Sequence, residues 1–345
     1  MKEERTEYME LTEGGKGCVA AIILNYNNWE DTLACLDSAL KWNTAPMKYI
    51  VVDGGSTREG TQEALDEGLY RLFGTDYERV TDDGKAEERK LSLCTLLISQ
   101  ENGGYAKGNN KGARLAFSDP DVDYILILNN DTLFVQDIVP ALTEAYNRLK
   151  DAAIVGPLLM KKDQKEPDYN CARRIETPLQ HAYWMMFFYV DPLRKKKKWK
   201  RKMMILKDRP ELMENSEVEC DLLSGACFLV GKQLFRQMDG FDEGTFLYNE
   251  ENILHKRIKA RGLRTYVLPQ LKLIHLGASS TSQKPGLFIM KCSRDSTLYY
   301  IDHYSEANKM EKMACHLAAK CMLPQVRLQK WMFKTFGMKK HHDKS

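Results

Sequence analysis

Short apolar runs alternate with polar loops along the first third of the chain. Val19-Ala20-Ala21-Ile22-Ile23-Leu24 gives way to Asn25-Tyr26-Asn27-Asn28, and Tyr49-Ile50-Val51-Val52 to Asp53-Gly54-Gly55-Ser56-Thr57. A third run, Leu93 to Ile98, leads to Asn102-Gly103-Gly104, and Tyr124-Ile125-Leu126-Ile127-Leu128 ends abruptly at Asn129-Asn130-Asp131-Thr132. Unbroken apolar runs of this length predict strands buried on both faces, as in a parallel sheet covered by helices. Trp29, Leu33, Leu36 and Leu40 are spaced for one face of a helix after the first loop. Strand, polar loop and helix in alternation predict βαβ units and an α/β fold. Ligands of open α/β sheets bind beyond the carboxyl ends of the strands, so these loops, and Asp131 above all, stand where a ligand would sit. Turn chemistry alone would explain a single Asn-Asp pair. Its repetition after successive strands favours a site.

The regular pattern then loosens. Residues 74 to 92 are polar and charged and predict a surface loop or small helical insert, while residues 161 to 217 interrupt the regular pattern and predict a variable region. Phe246-Leu247-Tyr248-Asn249-Glu250-Glu251 opens a helical pattern that runs to about Arg261 and is ended by Gly262. Beyond Ser280, Met310, Met313, Ala314, Leu317, Ala318 and Cys321 recur at spacings of three and four, predicting a helix that ends before Pro324.

Charge changes the picture in one place. Residues 194 to 202 carry eight Lys or Arg in nine positions, so the rest of the chain is net acidic although the whole is +3. Just before them stands the apolar, aromatic block Tyr183-Trp184-Met185-Met186-Phe187-Phe188-Tyr189-Val190. A core element followed by a solvated loop would look like this. The juxtaposition favours a peripheral contact of residues 183–204 with an anionic membrane, aromatics at the interface and cations on headgroups. Trp331, Met332, Phe333 and Phe336 among Arg327, Lys330, Lys334, Lys339 and Lys340 form a second such segment at the C-terminus. No nucleic-acid motif accompanies either segment, so nucleic acid is not an expected partner.

Composition bounds the rest. At 345 residues and 43% hydrophobic, the chain can bury a large core. The nine scattered cysteines include no C-x-x-C pair and read as reduced, buried thiols. The charged stretch up to Gly17 reads as a flexible tail and not a secretory signal, and no run nears the roughly 18 apolar residues of a membrane span. These features predict a cytoplasmic protein, peripheral on the inner face of the membrane.

Taken in order, the motifs I-I-L-N-Y-N, V-V-D-G-G-S-T, N-G-G-Y-A-K-G-N-N-K-G, I-L-N-N-D-T, L-L-S-G-A-C-F-L-V, G-F-D-E, F-L-Y-N-E-E, R-I-K-A-R-G-L and L-I-H-L-G-A-S-S resemble the bacterial inverting nucleotide-sugar glycosyltransferases of family 2, and most of all the rhamnosyltransferase-like members. No single motif is specific; their order is. A dinucleotide-binding reading fits worse, because no G-x-G-x-x-G follows the first strand. The resemblance implies a GT-A fold over residues 18–280, with a nucleotide-sugar-binding half at 18–135, an acceptor half at 136–280 and a helical C-terminal extension at 281–345. It also implies a UDP- or dTDP-sugar donor, a glycan or lipid-linked acceptor, and a divalent cation, Mn²⁺ or Mg²⁺.

Residue by residue, the resemblance makes Asp131 the main metal ligand. Asn129 replaces the usual first Asp of the D-x-D motif, and Asn130 lies between them. His275 matches a late ligand position, although a histidine ending an apolar strand is more commonly packed or hydrogen-bonded; an imidazole would tilt the preference towards Mn²⁺. Asp53 would accept the N3–H of a uracil or thymine, a task for an acceptor-only group, or else cap the Gly54-Gly55 turn. Asn25 and Tyr26 would contact base or ribose. Asn102, Gly103, Gly104, Lys107 and Asn109 would present backbone and side-chain groups to the donor at a helix start; family members often carry a small residue where Lys107 stands. Glu251 matches the general base, with Glu250 the fallback and Asp242 of G-F-D-E a further candidate. The motif is usually Glu-Asp, so this base is one methylene longer. Gly225 and Ala226 would leave room for the sugar. A sugar-phosphate nucleotidyltransferase would need a Gly-rich, Arg-containing loop where Asn25-Tyr26-Asn27 stands. A degenerate, non-catalytic nucleotide-sugar binder is the rival outside catalysis.

Overall fold

The computed structural model of the chain describes residues 17–81, 88–188, 191–277 and 287–336, with side chains described as far as residue 325. The first half alternates as its apolar runs require: β1 (Cys18–Asn25), α1 (Trp29–Trp42), β2 (Met47–Asp53), α2 (Thr61–Phe73), β3 (Tyr77–Thr81), β4 (Cys94–Ile98), α3 (Gly104–Ser118) and β5 (Val122–Asn129). After the two-residue turn Asn130-Asp131 come β6 (Thr132–Phe134), α4 (Val139–Arg148) and β7 (Ala152–Met160). Next follow β8 (Ala172–Arg173), α5 (Pro178–Met186), α6 (Lys196–Met203), α7 (Ile205–Asp208), β9 (Val218–Cys220), β10 (Leu222–Leu223), β11 (Cys227–Gly231) and α8 (Lys232–Gln237). The chain closes with α9 (Glu250–Lys259), β12 (Arg264–His275), α10 (Leu287–His303) and α11 (Lys309–Phe336).

One mixed sheet runs in the order β3-β4-β2-β1-β5-β11-β7-β12-β6, with β9 also on β12. The strands β3, β4, β2, β1 and β5 are mutually parallel; β11 runs antiparallel between β5 and β7, and β12 is parallel to β7. Ile22, Ile23, Ile50, Ile125, Leu126 and Ile127 are fully buried, each contributing about 1.5–3 kcal/mol. All nine cysteines are free thiols, and seven of them are buried.

Several expectations are corrected. Within residues 74–92, Tyr77–Thr81 is a strand, not loop: charged as it is, it forms the sheet's edge, where Glu78 reaches Arg89 and Thr95. Residues 82–87 lie outside the described residues. The C-terminal helix α11 continues through Pro324, and its buried face is turned from the one the spacing suggested. Cys315, Ala318, Ala319 and Met322 are buried, while Met310, Met313 and Leu317 are exposed. Small residues win the inside because α11 lies close along α5: Cys315 Sγ meets the Pro178 carbonyl at 3.2 Å, and Gln325 Nε2 donates to the Met186 carbonyl at 2.8 Å.

The same packing splits the aromatic block. Ala182 and Met185 join a second core with Ile253, Met290, Tyr300 and Ile301, so this stretch is largely an interior element. The Tyr183 and Phe187 rings meet tilted at 4.9 Å, those of Tyr183 and Trp199 edge to face at 5.0 Å, and Lys196 lies 5.0 Å from the Trp184 ring. Tyr189 and Val190 are outside the described residues, as are the side chains of the second aromatic segment. Helix α6 is a different matter. Lys197, Lys198, Lys200, Arg201 and Lys202 are exposed and pair with no acid among the described residues.

Candidate active site

At the carboxyl ends of β1 and β2, the polar residues bind one another. Asp53 is fully buried and accepts from Asn25 Nδ2 at 2.9 Å, Gln62 Nε2 at 3.0 Å, the Ser56 amide at 3.2 Å and the Ser56 hydroxyl. Asn25 in turn accepts from Thr32 Oγ1 at 2.9 Å. Two carboxylate oxygens offer about four acceptor positions, and protein donors take all of them. Asn25 was expected to touch base or ribose; it is instead fully buried and used as framework, because its amide bridges two strand ends that the parallel register sets side by side. Tyr26, the next residue, is half-buried.

The loop before α3 is fastened to the acceptor side. Asn102 Oδ1 accepts from the Gly104 amide at 2.9 Å, and the Tyr105 amide donates to the Phe246 carbonyl at 2.9 Å. Gly104 has φ +81°, and a Cβ there would lie 2.1 Å from the Phe246 oxygen, so both conformation and space demand glycine. The stem of Lys107 lies over Gly103. Asn109 is not presented to a ligand: it is buried, and its amide donates to the Tyr105 carbonyl at 2.9 Å, one turn back along the helix.

The turn after β5 is held from three directions. Asn130 Nδ2 donates to Thr32 Oγ1 at 3.0 Å and the Asn28 carbonyl at 3.2 Å, the Asn129 amide donates to the Ala226 carbonyl at 2.8 Å, and the Asp131 carbonyl accepts from the Leu276 amide at 2.8 Å. Antiparallel pairing of β12 with β6 sets His275 opposite Thr132. His275 Nε2 therefore faces Asp131 Oδ1 at 3.5 Å, while Nδ1 faces Asp168 Oδ2 at 3.6 Å. Burial alone would lower the His275 pKa; the two carboxylates outweigh it and raise the pKa to about 9. His275 holds Asp168 below its ordinary range against the opposing effect of burial. Asp168 is a site residue that sequence reasoning missed. Nothing in its local pattern marks it, since only the β7–β12 pairing brings it here.

Could these residues hold a cation? Two ligand atoms about 2.1 Å from one ion stand roughly 3 Å apart at a right angle, so Asp131 and His275 are within reach of shared coordination. A carboxylate on the second imidazole nitrogen is the usual support for a ligating histidine. No three His, Cys, Asp or Glu side chains make a complete cage among the described residues, so diphosphate oxygens and water would have to supply the remainder. The donor set fits.

The acidic pair at the start of α9 divides by environment. Tyr248 and Asn249 both have positive φ, +75° and +68°, turning the chain sharply into the helix. Glu250 points inward, 4% exposed, with Thr245 Oγ1 at 3.3 Å. Burial, and then the neighbouring Glu251, raise its pKa. Glu251 instead lines an open cavity of about 320 Å³, and its Oε1 accepts from the Gly225 amide at 3.0 Å. A Cβ on Gly225 would meet Tyr105 Oη at 2.5 Å and Glu251 Oε1 at 3.2 Å. Glycine there serves the close approach of these groups. Asp242 is drawn elsewhere: it accepts from the Gly244 amide at 2.7 Å and from Tyr304, anchoring its loop to the C-terminal helices. Burial would raise its pKa, but Tyr304, Gly244 and Tyr299 hold it below the ordinary range. As a base candidate it is displaced by these bonds.

With that geometry in view, three likenesses bear on the chain. The model of the family described as glycosyl transferase family 2 matches residues 20–206. An N-acetylglucosaminyl-diphospho-decaprenol L-rhamnosyltransferase of Mycobacterium tuberculosis, in two strains, is 27% identical over 270 residues, which is 75% of this chain and 76% of that protein. The crystal structure of GalNAc-T7 with UDP, GalNAc and Mn²⁺ superposes with a TM-score of 0.53 at 15% identity, covering 93% of this chain; this chain spans 56% of that one. At such identity the last likeness speaks for the fold alone.

Proposed function

The chain belongs to glycosyl transferase family 2 and has the GT-A fold, and from that premise we propose that it transfers one sugar, with inversion, from a UDP- or dTDP-sugar to a glycan or lipid-linked glycan in bacterial surface-polysaccharide synthesis. The observation that carries this reading is the Ser224-Gly225-Ala226 segment. Through Ala226 it holds the end of β5 that leads to Asp131, and through the Gly225 amide it holds Glu251. Donor and acceptor groups thus share one backbone support. The name of the mycobacterial relative supports L-rhamnose as the sugar to test, with dTDP-rhamnose among the donors, and a polyprenyl-diphosphate sugar as an acceptor.

In this mechanism Asp131 and His275 would hold a divalent cation, Mn²⁺ or Mg²⁺, which would supply Lewis-acid stabilisation of the leaving diphosphate. Asp168 orients His275. Glu251 takes the proton of the acceptor hydroxyl as its oxygen attacks the anomeric carbon from the face opposite the diphosphate. The bond from that carbon to the diphosphate oxygen breaks, and the nucleoside diphosphate leaves with the electron pair. Reading a uracil or thymine through Asp53 would require a protein donor, Gln62 being the half-buried one, to yield its place. The exposed cations of α6, beside the exposed Leu193, support a peripheral membrane contact; salt-dependent binding to anionic but not neutral vesicles is its measure. No helix among the described residues is long and apolar enough to cross a membrane.

The test is a panel of nucleotide sugars assayed for nucleoside diphosphate release with Mn²⁺, with Mg²⁺ and with chelator. Turnover that needs metal and falls in Asp131→Asn is expected. Turnover indifferent to chelator would remove the metal, and binding without any turnover across the panel would favour the non-catalytic rival.

A further inference from the structure

The cavity beside Glu251 has an unusual wall. Arg173, His181 and Trp184 all line it, and their Nε, Nε2 and Nε1 atoms are buried without a hydrogen-bond partner among the described residues. His181 is only 6% exposed. Buried polar atoms left unpaired are rare in native proteins and call for an explanation such as a ligand. Arg173 Nε and Trp184 Nε1 are donors and nothing else, so whatever completes them must be an acceptor. Arg173 forms no ion pair among the described residues. Glu176 lies in the same wall, 3.7 Å from His181 Nδ1.

A second groove of about 290 Å³ continues from the first, with Arg173, Glu176 and Trp184 common to both. Its other lining includes Met203, Met204 and Lys200, the last an exposed cation of α6. Met185, Phe188 and Met322 line the first cavity. The path therefore runs from a carboxylate suited to deprotonating a hydroxyl, past paired donors, along flexible apolar side chains, to a basic helix.

We propose that Arg173 and Trp184 form a subsite for the phosphate or diphosphate of the acceptor, with its sugar hydroxyl at Glu251 and its lipid along the methionine-lined groove. The subsite rests on the glycosyl-transfer reading with a lipid-linked acceptor and adds to it the side chains that would hold the acceptor's phosphate. It is separate from the donor diphosphate, which the proposed function assigns to Asp131 and His275.

The whole chain is titrated by calorimetry with inorganic pyrophosphate, farnesyl diphosphate and farnesol, in chelator so that metal-dependent diphosphate binding is silent. Both diphosphates should bind the parent, farnesyl diphosphate more tightly than pyrophosphate. Arg173→Gln should weaken both by about tenfold or more and Trp184→Phe, which keeps the packing, by about threefold or more, as loss of hydrogen bonds to a charged group requires. Thermal unfolding of each variant checks its fold. Unchanged affinities in both variants, no binding in chelator, or binding that follows farnesol as well as the diphosphates would each overturn the subsite. Equal weakening of binding to phosphatidylglycerol vesicles, with free diphosphates unaffected, would assign the donors to a membrane headgroup and overturn it too. UDP binding in Mn²⁺, measured alongside, reports on the donor reading alone, so failure of one is not mistaken for failure of the other.

Discussion

At the ends of β1 and β2, Asn25 and Asp53 satisfy each other and their neighbours, whereas in the cavity wall beside Glu251 the buried nitrogens of Arg173, His181 and Trp184 meet no partner among the described residues. Both regions are polar and both are sheltered. They differ in who completes them. A network closed by protein groups stiffens a loop before any ligand arrives, and partial satisfaction is the more expensive condition in a medium of low polarity. A wall with open donors keeps that deficit until a ligand brings the acceptors. The contrast assigns stability to the first region and recognition to the second, and substitutions in each should separate those properties.

The largest expected effect is on turnover. Glu251→Gln keeps shape and the bond from Gly225 but removes the basic oxygen, so transfer should fall by about 10²–10⁴-fold while nucleotide binding and thermal stability persist. Steady-state rates set beside a melting curve measure both. Near-normal turnover in Glu251→Gln with loss in Glu250→Gln would move the base by one residue and break the contrast at its centre.

Asp53→Asn should do the reverse. Its amide nitrogen would confront donors that now meet a carboxylate, leaving buried groups unpaired at a cost of about 1–3 kcal/mol. Urea unfolding should show a lowered midpoint with an unchanged slope. A midpoint equal to the parent's would mean that the closed network is not a source of stability.

Glu250 gives the smallest and most condition-dependent effect. Burial and Glu251 place its native pKa above the unfolded carboxylate value of about 4.3. The folded state therefore binds the proton more tightly, and the stability this contributes is complete below the unfolded value and lost as pH rises through the native one. Glu250→Gln is neutral at every pH, so its stability should decline less steeply than the parent's across that window. Parallel pH profiles for the two would show that the inward carboxyl carries no such linkage.

How much was legible beforehand varies with the distance over which each feature is decided. The strands β1, β2, β4 and β5 were visible because doubly buried strands need unbroken apolar runs, and the loops after them because Asn, Asp and Gly favour turns. The role of Tyr77–Thr81 was not, since a charged edge strand has no apolar signature. Pro324 misled for a similar reason. A proline ends a helix by local rule, yet packing of α11 along α5 and α10 carries the helix past it. The exposed Met310-Met313-Leu317 stripe shows that periodicity can identify a helix and still leave its inner face to its neighbours.

Short-range chemistry, then, is what the chain carries in its order: alternating burial, turn residues, the acidic start of α9 and the motifs that mark its family. Which carboxylate faces the cavity, which asparagines become framework, and which histidine meets which acid were decided only by strand register and helix packing. Asp131, Asp168 and His275 converge because β12 lies between β6 and β7, and Arg173 of β8 and Trp184 of α5 come to line one cavity with Glu251 through the pairing of β8 with β10 and the packing of α5 against the C-terminal helices. Contacts between residues so far apart in the chain have no local signal, because their energy exists only once the sheet and its covering helices have closed.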